Sequence, residues 1–152
     1  MDDLDKLILQ TLQEDGRTPF TQIAKQAGVS ETTIRSRYRN LVDEGIVRCV
    51  GIVDPYALSF QAPVLIGVSV ESGKVDPVAR AIADLPEVSY LVMTLGRFDL
   101  MIEAFCRDLP HLTHLVTQQV SLIPGVRATE TLMIARSYKL TYRWSPTLEL
   151  ET

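Results

Sequence analysis

Thr32, Arg35, Ser36 and Arg39 place two guanidinium groups and two hydroxyls close together in the chain. These are side chains that read guanine, hold phosphate, or contact bases and backbone in nucleic acids. A helix advances about 100° per residue, so with Ile34 as origin all four lie away from the apolar stripe, near the helix N-terminus. Arg37 falls on the flank of that stripe, where it makes either a structural ion pair or a phosphate contact. The chemistry is that of a surface fit for a major groove, with Thr32, Thr33, Arg35, Ser36, Arg37 and Arg39 as DNA-binding candidates. A merely solvated charged face is the competing reading, and a short helix just upstream together with the local charge weighs against it.

A second group sits at Leu95-Gly96-Arg97-Phe98-Asp99. Gly96 permits an unusual backbone angle and close approach, and the Asp99 carboxylate can hold an α-ammonium group. The alternative is a tight β-hairpin in which Gly96 turns the chain and Asp99 bonds local amides. His111, His114 and Cys106 suggest a metal site only superficially. The two histidines lie opposite the apolar stripe of their helix, in water, and a fourth ligand is lacking. No metal and no cofactor are expected. Cys49 and Cys106 read as packed or idle thiols. No nucleophile-base pair, phosphate loop or pair of buried carboxylates can be placed, so no catalytic residue is assigned and the chain is not read as an enzyme.

The reading surface needs three helices to hold it. Asp2 can cap a first helix with Leu4, Leu7, Ile8 and Leu12 on one face, ended by Asp15-Gly16. A second runs from about Pro19 to Ala27, with Phe20, Ile23 and Ala24 inward and Gly28 at its end. Ser30 can cap a third carrying Ile34, Tyr38, Leu41 and Val42, closed by Gly45. Two helices joined by so tight a turn suggest a helix-turn-helix.

The charge supports that division. The 152 residues carry a net charge of −4 and are 46% hydrophobic, which excludes a generally polybasic coat protein and gives enough apolar residues for a core. From Arg17 to Val50, however, six basic residues face three acidic ones, whereas from Gly51 onward eight face eleven. A basic reading head precedes an acidic remainder. Two distant cysteines suit a reducing cytoplasm, and the acidic start lacks a signal-peptide pattern.

Residues 51–61, with Asp54-Pro55, read as an extended linker containing one short strand. Beyond it, Val64, Ile66, Val68 and Val70 alternate as a strand, and Asp76 can cap a helix with Pro77 in its first turn. Ser89 to Thr94 is a second strand, joined by the 95–99 turn to a strand at Leu100–Phe105, the two being taken as the central pair. Asp108 can cap a helix with Leu112, Leu115, Val116 and Ile123 on one face, and a last strand follows Val126. Leu85-Pro86-Glu87-Val88 and Ile123-Pro124-Gly125-Val126 mark the duplication. Two βαβ halves specify a four-stranded antiparallel sheet with both helices on one face. The apolar runs Tyr90–Met93 and Leu132–Ala135 require cover on the other face, and a homodimer by sheet packing supplies it. A two-fold dimer would read an inverted repeat with half-sites about 34 Å apart or a multiple of that.

Asp2, Asp5, Ile8-Leu9, Asp15-Gly16-Arg17, Ile23-Ala24, the run from Ser30 through Arg37 to Leu41, and Gly45-Ile46 together resemble the opening of the Lrp/AsnC family of transcription regulators. The resemblance covers nearly the whole chain. It implies an α+β protein: an N-terminal (winged) helix-turn-helix domain over 1–50, the linker 51–61, a ferredoxin-like βαββαβ domain of the RAM type over 62–140 for dimerisation and effector binding, and a tail over 141–152 that includes Trp144. It implies double-stranded DNA as partner and an amino acid or related metabolite as effector. It also implies an assembly of dimers, such as an octamer, and effector contacts at Gly96, Arg97, Phe98, Asp99, Thr129 and Thr131. The chain departs from the family at Pro19, which leaves Thr18 to supply a helix cap, and at Ser59, where the hinge often has Gly. A DNA-compacting protein without an effector and a ferredoxin-like metabolite-binding module or enzyme are the alternatives.

Overall fold

The computed structural model describes residues 1–60 and 62–139, and divides into one compact unit over Met1–Ile52 and another over Val53–Tyr138. In the first, α1 (Asp3–Glu14), α2 (Phe20–Ala27) and α3 (Glu31–Asp43) enclose a core of Ile8, Leu12, Ile23, Ala24, Ile34 and Leu41. Asp2 and Asp5 form a reciprocal capping box on α1: each backbone N–H donates to the other's carboxylate at 3.0 Å. Ser30 caps α3 by accepting the Thr33 N–H at 3.1 Å. Gly28 (φ 67°) and Gly45 (φ 71°) supply the left-handed turns after α2 and α3.

Three expectations for this unit change. Thr18 does not cap α2; its hydroxyl donates to the Asp15 carbonyl, and Pro19 occupies the cap position with no side-chain bond. Val42 is exposed because it lies about 80° from Ile34 around the helix, whereas Leu41 lies within about 20°. No wing follows α3: among the described residues no strand lies between α3 and residue 62.

The second unit has β1 (Ala62–Val70), α4 (Val75–Ala83), β2 (Val88–Met93), β3 (Leu100–Cys106), α5 (Leu109–His114, continuing as a π-helical turn over Leu115–Val120) and β4 (Val126–Met133). The strands form one antiparallel sheet in the order β2-β3-β1-β4, the ferredoxin-like arrangement. Val64, Ile66 and Val68 of β1 and Leu100, Ile102 and Ala104 of β3 pack with Val78 and Ile82 of α4 and Leu112, Leu115 and Val120 after β3, so both helices share one face. Period-two alternation in β1 and β3 puts these residues on that face.

Here too the structure corrects the reading. The 95–99 turn joins the edge strand β2 to the central strand β3, because β1, not β2, is the other central strand. α4 starts at Val75 with Lys74 at the cap, so Asp76 lies inside the first turn, where its charge complements the helix dipole. The expected linker strand is not present among described residues. Instead Tyr56–Leu58 make a 3₁₀ turn, initiated by the Tyr56 N–H bond to Asp54 and closed by Ser59 at φ 62°.

Candidate nucleic-acid interface and ligand-binding loop

On α3, Thr32, Arg35, Ser36 and Arg39 are all exposed. Arg35 is held in place: its Nε donates to Glu31 Oε1 at 2.7 Å, and its guanidinium carbon lies 5.3 Å from the centre of the Phe20 ring. Phe20, Arg35, Tyr38, Arg39 and Val42 line a shallow hollow of about 320 Å³. Thr33 turns toward the cap, its hydroxyl 2.8 Å from Ser30 Oγ. Arg37 turns toward α1, with Nη1 at 2.8 Å from Asp2 and 3.3 Å from both oxygens of Asp5. The Asp2 carboxyl is held below its usual range, chiefly by the Asp5 N–H and also by Arg37. Of the two roles open to Arg37, the structure gives it the ion pair. Sequence reasoning gave Glu31 no role, although it stands one helical turn before Arg35, and read Phe20 only as an inward residue, which it also is.

In the ligand-loop candidate, Arg97 Nη2 lies 2.6 Å from Glu130 Oε2, and its guanidinium sits 5.2 Å from the Phe98 ring centre. Phe98 covers Gly67 so closely that a Cβ there would meet the ring at 2.5 Å. Gly96 does not adopt a positive φ, contrary to expectation, and stands in open space. The hairpin is braced by Thr94, whose hydroxyl donates to the Phe98 carbonyl at 2.6 Å. Asp99 bonds neither a neighbour in the turn nor open solvent alone: Oδ2 accepts the Val70 N–H of β1 at 2.7 Å.

The sheet register separates the remaining candidates. Thr129 and Thr131 pair with Val68 and Ile66 and therefore share the helix-covered face, whereas Glu130 pairs with Gly67 on the opposite face. Arg97, Phe98 and Glu130 come together, and Thr129 and Thr131 lie across the sheet from them. That opposite face also carries Leu65, Tyr90, Val92, Met101, Phe105 and Leu132, with Tyr90 55% and Leu132 45% exposed.

His111 is not in water as expected. Its Nε2 lies 2.9 Å from Glu87 Oε1, and its Nδ1 accepts the Arg107 backbone N–H at 3.3 Å. The helix turns His111 toward the segment before β2, while His114 stays exposed. The hydrogen bond from His111 holds the Glu87 carboxyl below its usual range against the opposing effect of burial. Cys106 is buried, and burial first, then the Glu87 and Asp108 charges, push its thiol up. Among the described residues, no three potential ligands gather around a metal position. Trp144 lies outside the described residues.

A capped three-helix head with a basic, hydroxyl-bearing face and a ferredoxin-like sheet with a braced hairpin occur here in one chain. Family models match it as the AsnC-type helix-turn-helix domain over residues 1–42 and the Lrp/AsnC ligand binding domain over residues 63–144. The chain belongs to the Lrp/AsnC family.

Regulatory protein AsnC of Escherichia coli is 32% identical over 139 residues, covering 90% of this chain and 91% of its own. The HTH-type transcriptional regulator FL11 of Pyrococcus horikoshii is 32% identical over 142 residues, covering 93% of each chain. The solved structure of E. coli AsnC superposes with a TM-score of 0.80 at 29% identity, covering 92% of this chain and 95% of that one. A transcriptional regulator of Neisseria meningitidis, solved as an L-Met complex, shares the fold at a TM-score of 0.83 and 24% identity, over 95% of this chain and 96% of that one. This Lrp/AsnC chain is thus a helix-turn-helix transcriptional regulator with a ligand-binding domain, and DNA and a small molecule are its partners. No described helix is long and apolar enough to cross a membrane.

Proposed function

We propose that α3 enters the major groove of an inverted-repeat operator and that an amino acid or related metabolite bound to the ferredoxin-like unit modulates that binding. The observation that carries the reading is the row Thr32, Arg35, Ser36 and Arg39, exposed on a helix whose opposite face is buried in the head's core. Recognition helices contact base edges through residues near their N-termini, where Thr32, Arg35 and Ser36 lie. Thr33 and Arg37 support that helix from behind, through the cap and through α1.

The open sheet face supports a homodimer: Tyr90 and Leu132 are apolar and exposed, and a second copy of the same face would cover them. Two heads in one dimer fit two half-sites, and further assembly to an octamer or similar ring follows the family. A regulator of the same fold solved as an L-Met complex supports an amino acid as the ligand class. The turn Gly96, Arg97, Phe98 and Asp99 is assigned as the ligand loop, with Thr129 and Thr131 as further contacts on β4, the edge strand beyond β1. The protein acts in the cytoplasm as a regulator and catalyses no reaction.

Selection of bound duplexes from a random pool, followed by footprinting, tests this. A recurrent inverted repeat, bound more weakly by Arg35→Ala with the oligomer intact, is the expected result. Uniform protection without a preferred repeat would favour a DNA-compacting role instead.

A further inference from the structure

We infer that Glu31 and Phe20 are positioning residues that convert Arg35 from a general phosphate contact into a base-reading group. The inference rests on the docking of α3 proposed above.

A guanidinium carries five N–H donors in a rigid plane. Glu31 occupies one lateral edge of that plane: Oε1 accepts from Nε at 2.7 Å and lies 2.5 Å from Nη2. The Nη1 and Nη2 end keeps its outward donors free. Those donors lie parallel and side by side, the arrangement that matches O6 and N7 of guanine. Phe20, at the first turn of α2, fixes the group from a second direction, with the guanidinium carbon 5.3 Å from its ring centre. Phe20 is itself held by Tyr38, whose ring centre is 5.0 Å away. The clamp therefore ties the arginine to both helices of the motif.

Two consequences follow for binding. Arg35 loses little freedom when it meets a base, because its side chain is already ordered. The Glu31 carboxylate also cancels much of the arginine's charge locally, so Arg35 adds little attraction for phosphates of arbitrary sequence. Arg39, one turn further along, is exposed and makes no ion pair with any described residue. The helix thus carries one neutralised, oriented guanidinium and one free one, suited to different tasks.

The test uses the full-length protein, the best-bound duplex from the selection, and a scrambled duplex of the same composition, with affinity measured across a salt series. Glu31→Gln is expected to bind the scrambled duplex more tightly, to steepen the salt slope there by about one, and to lower the selected-over-scrambled ratio about tenfold. Phe20→Leu, which keeps apolar bulk in the core, should lower the same ratio without changing the slope, since no charge is altered. The inference is overturned if Arg35→Ala weakens binding to the selected duplex while Glu31→Gln leaves both ratio and slope at wild-type values. It is equally overturned if Glu31→Gln weakens both duplexes by the same factor with an unchanged slope, as a purely structural role would. Silence of Arg35→Ala itself would overturn the docking of α3 instead.

Discussion

Arg37 on α3 reaches Asp5 on α1, its Nη1 3.3 Å from both carboxylate oxygens, across 32 residues of sequence. Asp5 is the one buried charged residue described, and it also completes the α1 capping box. Removing Arg37 would leave that carboxylate without its cation. Arg37→Ala is therefore expected to destabilise the three-helix unit by about 1–3 kcal/mol, read as a lower urea midpoint with an unchanged slope. The salt dependence of DNA binding should stay near wild type in that variant. A salt slope reduced by a full phosphate contact, with stability intact, would return Arg37 to the DNA surface.

Arg39 offers the contrasting case. It is exposed on the face of α3 that carries Arg35 and pairs with no described residue, so its charge is available to phosphate. Arg39→Ala should weaken selected and scrambled duplexes alike and reduce the salt slope by about one, with the thermal midpoint unchanged. Loss of discrimination between the two duplexes would instead mark Arg39 as a base reader.

The two arginines show what could be read from residue order and what could not. Helical periodicity separated Arg35 and Arg39 from the apolar stripe, because angle around a helix depends on sequence spacing alone. It left Arg37 between two roles, since its partner Asp5 belongs to another helix and only tertiary packing brings the two together. The same division holds in the sheet. Alternation located β1 and the repeat of the pattern located β3, but the strand order, and hence which face Thr129 and Thr131 share, depends on pairing that no local pattern encodes. His111 was misplaced for this reason too: its partner Glu87 comes from the segment before another strand.

Gly67 is a place where the sheet has no room to spare. A methyl group there would meet the Phe98 ring at 2.5 Å, and the ring is pinned by the braced hairpin. Gly67→Ala should cost about 1–3 kcal/mol through overpacking, measured by urea denaturation. Combining it with Phe98→Ala should recover much of that loss, because the clash disappears with the ring. Additive costs in the double variant would show that the two residues do not compete for the same space.

Glu87 and His111 make part of the stability sensitive to acid. A carboxylate with a folded pKa below its unfolded one stabilises the fold fully above the unfolded value, about 4.3 for Glu. That contribution is lost as pH falls through the lowered folded value. Glu87→Gln keeps an acceptor for the His111 N–H but removes the charge, and should cost about 1 kcal/mol at pH 7. The difference from wild type should shrink as the pH is brought below about 4. Stability curves that stay parallel down to acid pH would remove the pair from this role.

Asp99 binds the Val70 N–H through Oδ2 at 2.7 Å, which ties the ligand loop to the end of β1. That bond separates two functions of the same carboxylate. Asparagine in its place keeps a carbonyl oxygen able to accept from Val70 but carries no charge to hold an ammonium group. Alanine removes both. If the charge anchors an amino acid, Asp99→Asn should retain most of the thermal stability and lose amino-acid binding, whereas Asp99→Ala should lose both, with a stability cost of about 1–2 kcal/mol. Calorimetry against the twenty amino acids, run beside thermal melts of wild type and both variants, distinguishes these cases. Full retention of binding in Asp99→Asn would confine Asp99 to bracing the loop, and would move the search for the ammonium partner to Glu130, which stands on the same sheet face as Phe98 and pairs with Arg97.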